Sequence, residues 1–296
     1  MSVGLASRLL TLEQWCIGWA ECSIARFLQE PETVTFQWLK PRHSTELLAD
    51  PFGLEENGRL TIFAEHLTYG RTKGQLVRID TAAGDDESVP LLKRPFHLSY
   101  PFIAEEHGRR YVIPEQSESG ALAFYPLEGA ELGAPAAILH GLDAIDPTFL
   151  FHDGLWWLFC TRRSTGANTA LHLYSAERLL GPYRPHPQNP IVTDPAFARP
   201  AGRIIRLGAQ LLRPAQDCAQ SYGAAIMLCE IETLTPQRYA ERPGRRLLPS
   251  HVAGGYSAGL HTLDHTEHFV LVDTKRMAFA PFAAPIKLAD KIIARA

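Results

Sequence analysis

The sequence predicts an all-β fold, a five-bladed β-propeller of four-stranded blades closed by an N-terminal strand. Three observations predict it: a repeat near 50 residues long, a tight turn inside each repeat, and little helical periodicity. The chain of 296 residues has room for one large all-β domain, and it reads as a single domain over 1–296.

Proline marks the repeat. Asp50-Pro51-Phe52, Tyr100-Pro101-Phe102, Asp146-Pro147-Thr148 and Arg199-Pro200-Ala201 place their prolines 50, 46 and 53 residues apart. Fourteen residues after each proline an apolar run is ending, at Glu65, Glu115, Thr161 and Pro214. Between the two features lie Asn57-Gly58, His107-Gly108, Asp153-Gly154 and Leu207-Gly208, where glycine accepts the positive φ of a tight hairpin. Each unit therefore begins strand, turn, strand. Third strands follow at 75–80, 121–125, 170–175 and 224–230, and a further pair at 259–263 and 268–273 starts a fifth unit. Blades are expected over 45–92, 96–140, 143–190, 197–248 and 254–280. The fifth has too few strands of its own. Residues 13–24, with Trp15, Ile17 and Trp19 alternating, read as a half-buried strand that supplies its outer edge and ties the chain ends together. Helix is expected only as short turns, one at 235–239 with Thr235 as cap and Pro236 at the first helical position.

Composition narrows the function classes. Hydrophobic residues make up 46%, charged residues 21%, and the net charge is −3, which excludes extensive disorder and argues against nucleic-acid binding. No apolar run reaches the roughly 18 to 20 residues of a membrane span. The N-terminus lacks the unbroken apolar stretch of a secretory signal, and the five cysteines form no C-x-x-C pair. These features point to reduced thiols and a cytoplasmic setting. Phosphate-binding, dinucleotide-binding, nucleophile-elbow and zinc-protease motifs are absent, so no cofactor and no metal site are assigned.

The first strand of each propeller blade lines the central channel, so the blade starts converge. They contribute Asp50, His97, Tyr100, Asp146, Arg199, Arg203 and His261, while the ends of the second strands add Glu65, Glu115, Gln216, Asp217 and Asp273. Charges gathered around a narrow axis are partly desolvated, and that pushes carboxylate pKa values apart. Asp50, Glu115 and Asp146 are the candidate catalytic group, because paired carboxylates are the minimal machinery for glycosidic chemistry. Arg199, Arg203 and Arg213 either neutralise these acids or fork onto an anionic part of a substrate. Of Trp156-Trp157, one ring is expected in the core and the other is free to stack on a sugar.

The segments Ala49-Asp50-Pro51-Phe52, His97-Leu98-Ser99-Tyr100-Pro101-Phe102, Ile113-Pro114-Glu115, Arg199-Pro200-Ala201-Gly202 and Arg213-Pro214-Ala215-Gln216-Asp217-Cys218 occur together. So do Tyr222-Gly223 and Gly259-Leu260-His261-Thr262. This set resembles the N-terminal domain of glucosamine inositolphosphorylceramide transferases and bacterial domains like it. The resemblance implies a five-bladed propeller similar to family 43 and family 32 glycosidases, and carbohydrate-related activity. Asp50 matches the placement of the base in family 43 enzymes. Their pKa-setting Asp comes before their acid Glu, whereas here Glu115 comes before Asp146.

Two functions are expected. The first is a carbohydrate-active enzyme that cleaves or transfers a glycosyl unit of an anionic or phosphate-bearing sugar or glycan. Asp50 would act as base or nucleophile, Glu115 as acid and Asp146 as tuner, with Glu65, His97, Tyr100, Arg199, Arg203, Arg213, Gln216, Asp217 and His261 binding substrate. The second is a non-catalytic sugar-binding propeller that supports a partner biosynthetic enzyme.

Overall fold

Five antiparallel sheets stand in a ring around a central axis, forming a five-bladed β-propeller. The structure is a computed structural model that describes residues 9–82 and 88–293. The chain enters through β1 (Thr11–Glu21), a short helix α1 (Ile24–Gln29) and β2 (Gln37–Leu39). Blade one is β3 (Glu46–Glu56), β4 (Arg59–Thr68), β5 (Gln75–Asp80) and β6 (Val89–Leu92). Blade two holds β7 (Ser99–Glu106), β8 (Arg109–Glu115) and β9 (Ala121–Glu128), edged by β10 (Glu131–Leu132) and β11 (Ala137–His140). Blade three runs through β12 (Ala144–His152), β13 (Leu155–Arg162), β14 (Leu171–Ala176) and β15 (Arg184–Pro185). Blade four runs through β16 (Ile205–Leu207), β17 (Gln210–Asp217), β18 (Ala225–Leu234) and β19 (Tyr239–Leu247). Blade five begins with β20 (Leu263–His265) and β21 (Phe269–Phe279), and β1 and β2 complete it.

The N-terminal strand therefore closes the ring, but not as the outer edge expected for it. β1 pairs with β21 over eleven residues, from Thr11 opposite Phe279 to Glu21 opposite Phe269, and β2 forms the edge beyond it. As an inner strand β1 is covered on both faces, so its run from Gln14 to Gly18 is continuously buried. Two expectations about helix also change. The segment 235–239 is a tight hairpin connection in which Thr235 Oγ1 accepts from Arg238 N (2.9 Å). Beyond blade five, α2 (Ala283–Ile293) seats Ala283 and Ile286 against Leu12, Ala280 and Tyr69, a tertiary contact that local periodicity does not announce.

The hairpin turns form as their dipeptides dictate. Asn57-Gly58, His107-Gly108 and Asp153-Gly154 all carry positive φ at both positions, from 49° to 76°, which matches the right-handed twist of the flanking strands. The core lies between blades. Phe52, Phe102 and Phe149, one from each of the first three innermost strands, stack in sequence with centroids 5.4 and 5.6 Å apart. Each is at most 3% exposed and adds roughly 1.5 to 3 kcal/mol of transfer free energy.

Each Asp-Pro or Tyr-Pro step sits on a bulge. Register slips between Ala49 and Phe52, Ser99 and Phe102, and Ile145 and Thr148, and the residue before the proline takes the left-handed region: Asp50 (φ 52°), Tyr100 (45°), Asp146 (49°). In blade four the spacing lengthens by two. Gln216, not Pro214, is the second-strand residue that faces the motif, donating its amide to Arg199 O (2.8 Å).

Candidate active site

The three bulges aim their side chains at the axis of the ring, where Asp50, Tyr100 and Asp146 are all buried. A non-glycine residue at positive φ costs on the order of 1 to 3 kcal/mol and persists only where its surroundings impose it. Here the imposing contact is the same each time: a carboxylate takes the bulge amide. Asp50 N donates to Asp273 Oδ2 (3.0 Å), Tyr100 N to Asp50 Oδ2 (3.2 Å), and Asp146 N to Glu115 Oε2 (3.4 Å). Each acceptor belongs to the blade preceding its donor, so the cluster also links blades five, one, two and three in order.

Asp50 is 5% exposed. Its Oδ1 accepts from Thr262 Oγ1 (2.9 Å) and lies 3.6 Å from His261 Nε2. Burial raises its pKa to about 7; His261 opposes the rise, while Glu65, Asp146 and Asp273 add to it. Asp146, 1% exposed, is held differently. Arg199 forks onto it through Nε (2.6 Å) and Nη2 (3.2 Å), and Gln216 Nε2 donates at 2.8 Å. Burial raises this pKa too, against the pull of the Arg199 charge. Glu115 accepts from Ser117 Oγ (2.9 Å) and lies 3.9 Å from Arg199 Nη2. Two environments thus meet at one point, a carboxyl beside an imidazole and a hydroxyl and a carboxyl clamped by a guanidinium, and burial raises both to about 7.

His97 and Glu65 lie to one side of the cluster, with Nε2 and Oε1 3.2 Å apart and the His97 side chain 31% exposed. Gly74 N donates to His97 Nδ1 (3.1 Å). Tyr100 turns its hydroxyl to Thr148 Oγ1 (2.7 Å) and accepts from Gly202 N (2.6 Å), so it braces blades three and four from below the acids. His261 is 3% exposed and bonded to Asp273 Oδ1 through Nδ1 (2.7 Å). Asp50, His261 and Asp273 each bring a donor atom within 4.8 Å of the others, a spacing that a cation could bridge only by displacing these bonds.

Three residues expected in the cluster lie elsewhere. Arg203 pairs with Asp264 (3.0 Å) and Ile103 O (3.0 Å) and lines a cavity of about 990 Å³ at the hairpin-turn face. Asp50, Glu115 and Asp146 do not line that cavity. Arg213 is fully buried against Glu241 (2.6 and 2.8 Å) and Phe197 O, within the blade-four sheet. Asp217 bonds Arg246 (2.8 Å) at the blade edge, because strand alternation turns it away from Gln216. Neither indole of Trp156-Trp157 reaches the acids: Trp157 is 1% exposed, and Trp156 packs on Phe151 and donates to Glu106 (2.8 Å).

Other contributors escaped sequence reasoning. Trp15 stacks on His261 with centroids 3.8 Å apart, Tyr222 meets both rings edge-on, and the Arg199 guanidinium lies over Tyr222 (5.1 Å). The aromatic alternation of strand β1 was the available signal for Trp15, but nothing local revealed which blade its ring would enter.

Residues 11–255 match the family model for the N-terminal region of glucosamine inositolphosphorylceramide transferase 1. The chain belongs to this family. The rice (Oryza sativa subsp. japonica) glucosamine inositolphosphorylceramide transferase 1 is 32% identical over 214 residues, covering 68% of this chain and 28% of that protein. The Arabidopsis thaliana protein of the same name is 30% identical over 206 residues, or 67% of this chain and 27% of its own length. This member of the transferase N-terminal family thus spans under a third of the relatives it matches. An exo-β-1,3-galactanase from Clostridium thermocellum shares the fold, with TM-score 0.53, 12% identity, and coverage of 73% of this chain and 57% of that one.

Proposed function

We propose that this propeller acts on a glycosyl group at the acid cluster, cleaving or transferring it by carboxylate acid/base chemistry. Asp50 exchanges the proton, Glu115 is the second carboxylate, and Asp146, clamped by Arg199 and Gln216, sets the charge around them. The single observation that carries this reading is geometric: Asp50, Glu115 and Asp146 converge at one point, with Asp50 beside His261 and Thr262 while the Arg199 guanidinium forks onto Asp146 and lies 3.9 Å from Glu115. Carboxyl groups with divergent environments at one site are what glycosyl chemistry requires. The names of the transferase relatives and the galactanase both concern sugars, which supports the substrate class. Arg199 and Arg213 are engaged by carboxylates and Arg203 lies toward the opposite face, so the site favours a hydroxyl-rich glycan over one gripped by its anion. A cytoplasmic setting fits the five free cysteines.

A panel of nitrophenyl glycosides, sugar phosphates and nucleotide sugars tests it. Product release by the wild type, cut by roughly 10²-fold or more in Asp50→Asn and Glu115→Gln folded to the same degree, supports the assignment. Full activity in Glu115→Gln overturns it.

A second reading has its own observation. Both oxygens of Asp50 and of Asp146 already accept hydrogen bonds, and the chain matches under a third of its relatives, so binding without chemistry beside a partner biosynthetic enzyme also fits. It expects ligand-induced thermal stabilisation with no product.

A further inference from the structure

Trp15 comes from β1, the strand that closes the ring, yet its ring lies at the acid cluster and not in the outer layer. The indole is 3% exposed and lies nearly parallel to the His261 imidazole, 18° between planes. Gly223 closes the stack from the side. A Cβ there would meet His261 Cβ at 2.7 Å and Trp15 Cη2 at 3.0 Å, so only glycine fits, at φ 59°. Lys275 Nζ lies 5.1 Å from the centre of the Trp15 ring and donates to Tyr222 O (2.6 Å) and Glu13 (3.3 Å). His261 cannot rotate freely under these contacts.

The orientation so held has a chemical consequence. Nδ1 engages Asp273 Oδ1, which also accepts from His261 N (3.2 Å) and Thr262 N (2.9 Å). The other Asp273 oxygen takes the Asp50 amide (3.0 Å) and so sustains the left-handed bulge. The second imidazole nitrogen, Nε2, faces Asp50 Oδ1 at 3.6 Å. One ring thus touches the working carboxyl directly and also grips, through Asp273, the backbone that aims it.

We propose that the Trp15–His261 stack is the positioning device of Asp50, so that the closing strand of the propeller completes the candidate active site. The proposal rests on Asp50 being the working group of that site. The groups facing Asp50 are His261, Thr262 and Asp273 from blade five, Glu65 from its own blade, Tyr100 from blade two, Asp146 from blade three and Tyr222 from blade four.

The test uses the full chain labelled with ¹³C-aspartate, following the Asp50 carboxyl through a pH titration, with Asp50→Asn to assign its signal. In His261→Asn the side-chain amide still reaches Asp273 but no atom remains at the Nε2 position. The titration midpoint of Asp50 should then rise by roughly one pH unit, because the positive neighbour that favours the anion is gone. Trp15→Leu should move it the same way, and Trp15→Phe, which keeps a stacking ring, should restore much of the wild-type value. If Trp15→Leu does not fold, His261→Asn and Trp15→Phe carry the comparison. A midpoint unchanged in His261→Asn, or equal displacement in both Trp15 variants, overturns the proposal. The readout needs no turnover, so inactivity toward every sugar would count against the catalytic reading and leave this result standing.

Discussion

Asp50→Asn measures what it costs to hold a carboxyl at the centre of the ring. Burial lifts this group from 3.8 to about 7, and a span of about three pKa units at ~1.4 kcal/mol each corresponds to about 4 kcal/mol. The unfolded chain releases this proton near 3.8, whereas the folded chain keeps it to about 7. Between those values the native state binds more protons, so wild-type stability falls as pH rises through the window and is fully retained below it. Asparagine carries no charge and lacks that fall. It tolerates the left-handed conformation as well as aspartate does. It also presents the same donor and acceptor as the protonated carboxyl, its Oδ1 accepting from the Tyr100 amide and its Nδ2 donating to the Thr262 hydroxyl, which accepts as readily as it donates. The variant should therefore be about as stable as wild type near pH 4 and more stable by up to about 4 kcal/mol near pH 8. Urea unfolding at both pH values, followed by tryptophan fluorescence, reads the difference. A gap that stays constant, or that moves against the variant as pH rises, would refute the burial argument.

Four other outcomes follow from the same geometry. Arg213→Met should lose about 3 to 5 kcal/mol by stranding Glu241, yet leave any sugar-induced thermal shift unchanged; Arg213→Met with Glu241→Leu should regain most of the stability. Gly202→Ala should yield no folded protein by circular dichroism, because its Cβ would sit 1.9 Å from Leu263 O at φ 122°. Removing residues 1–22 takes away the eleven-residue pairing of β1 with β21, and cooperative thermal unfolding should vanish. If Asp50 serves as base, turnover should rise with pH through about 7, and a profile flat across that range would reassign the role.

Much of the propeller was legible because its repeat is chemical as well as metric. Gly58, Gly108 and Gly154 mark hairpins that only residues tolerant of positive φ can turn, and the prolines mark bulges in the adjoining strands. Those signals are local, so they survive in one dimension. The constant offset placed Glu65 opposite Ala49 and Glu115 opposite Ser99, and hence both acids near the axis. It failed in blade four, where an innermost strand of only three residues starts late and Gln216 takes the place the count gave to Pro214.

The arginines show where reading ran out. Arg199, Arg203 and Arg213 look alike in sequence, but one clamps Asp146, one pairs with Asp264 toward the opposite face, and one is sealed against Glu241. A long side chain chooses among carboxylates by distance in space, and the sequence carries no such distance. The order of strands in blade five was hidden for a related reason: β1 reads as half-buried on its own and becomes an inner strand only once β2 covers its free edge.

By itself the sequence determined the repeat, the hairpins, the ring of blades and the candidacy of Asp50, Glu115 and Asp146, because turn chemistry and strand alternation act between near neighbours. Only the tertiary structure decided which acid sits beside His261 and which is clamped by Arg199, that His261 is bound to Asp273 and shielded by Trp15, and that the closing strand reaches the centre. Those outcomes depend on desolvation and on contacts such as Trp15 with His261, 246 residues apart in the chain, and they exist only after the ring has closed.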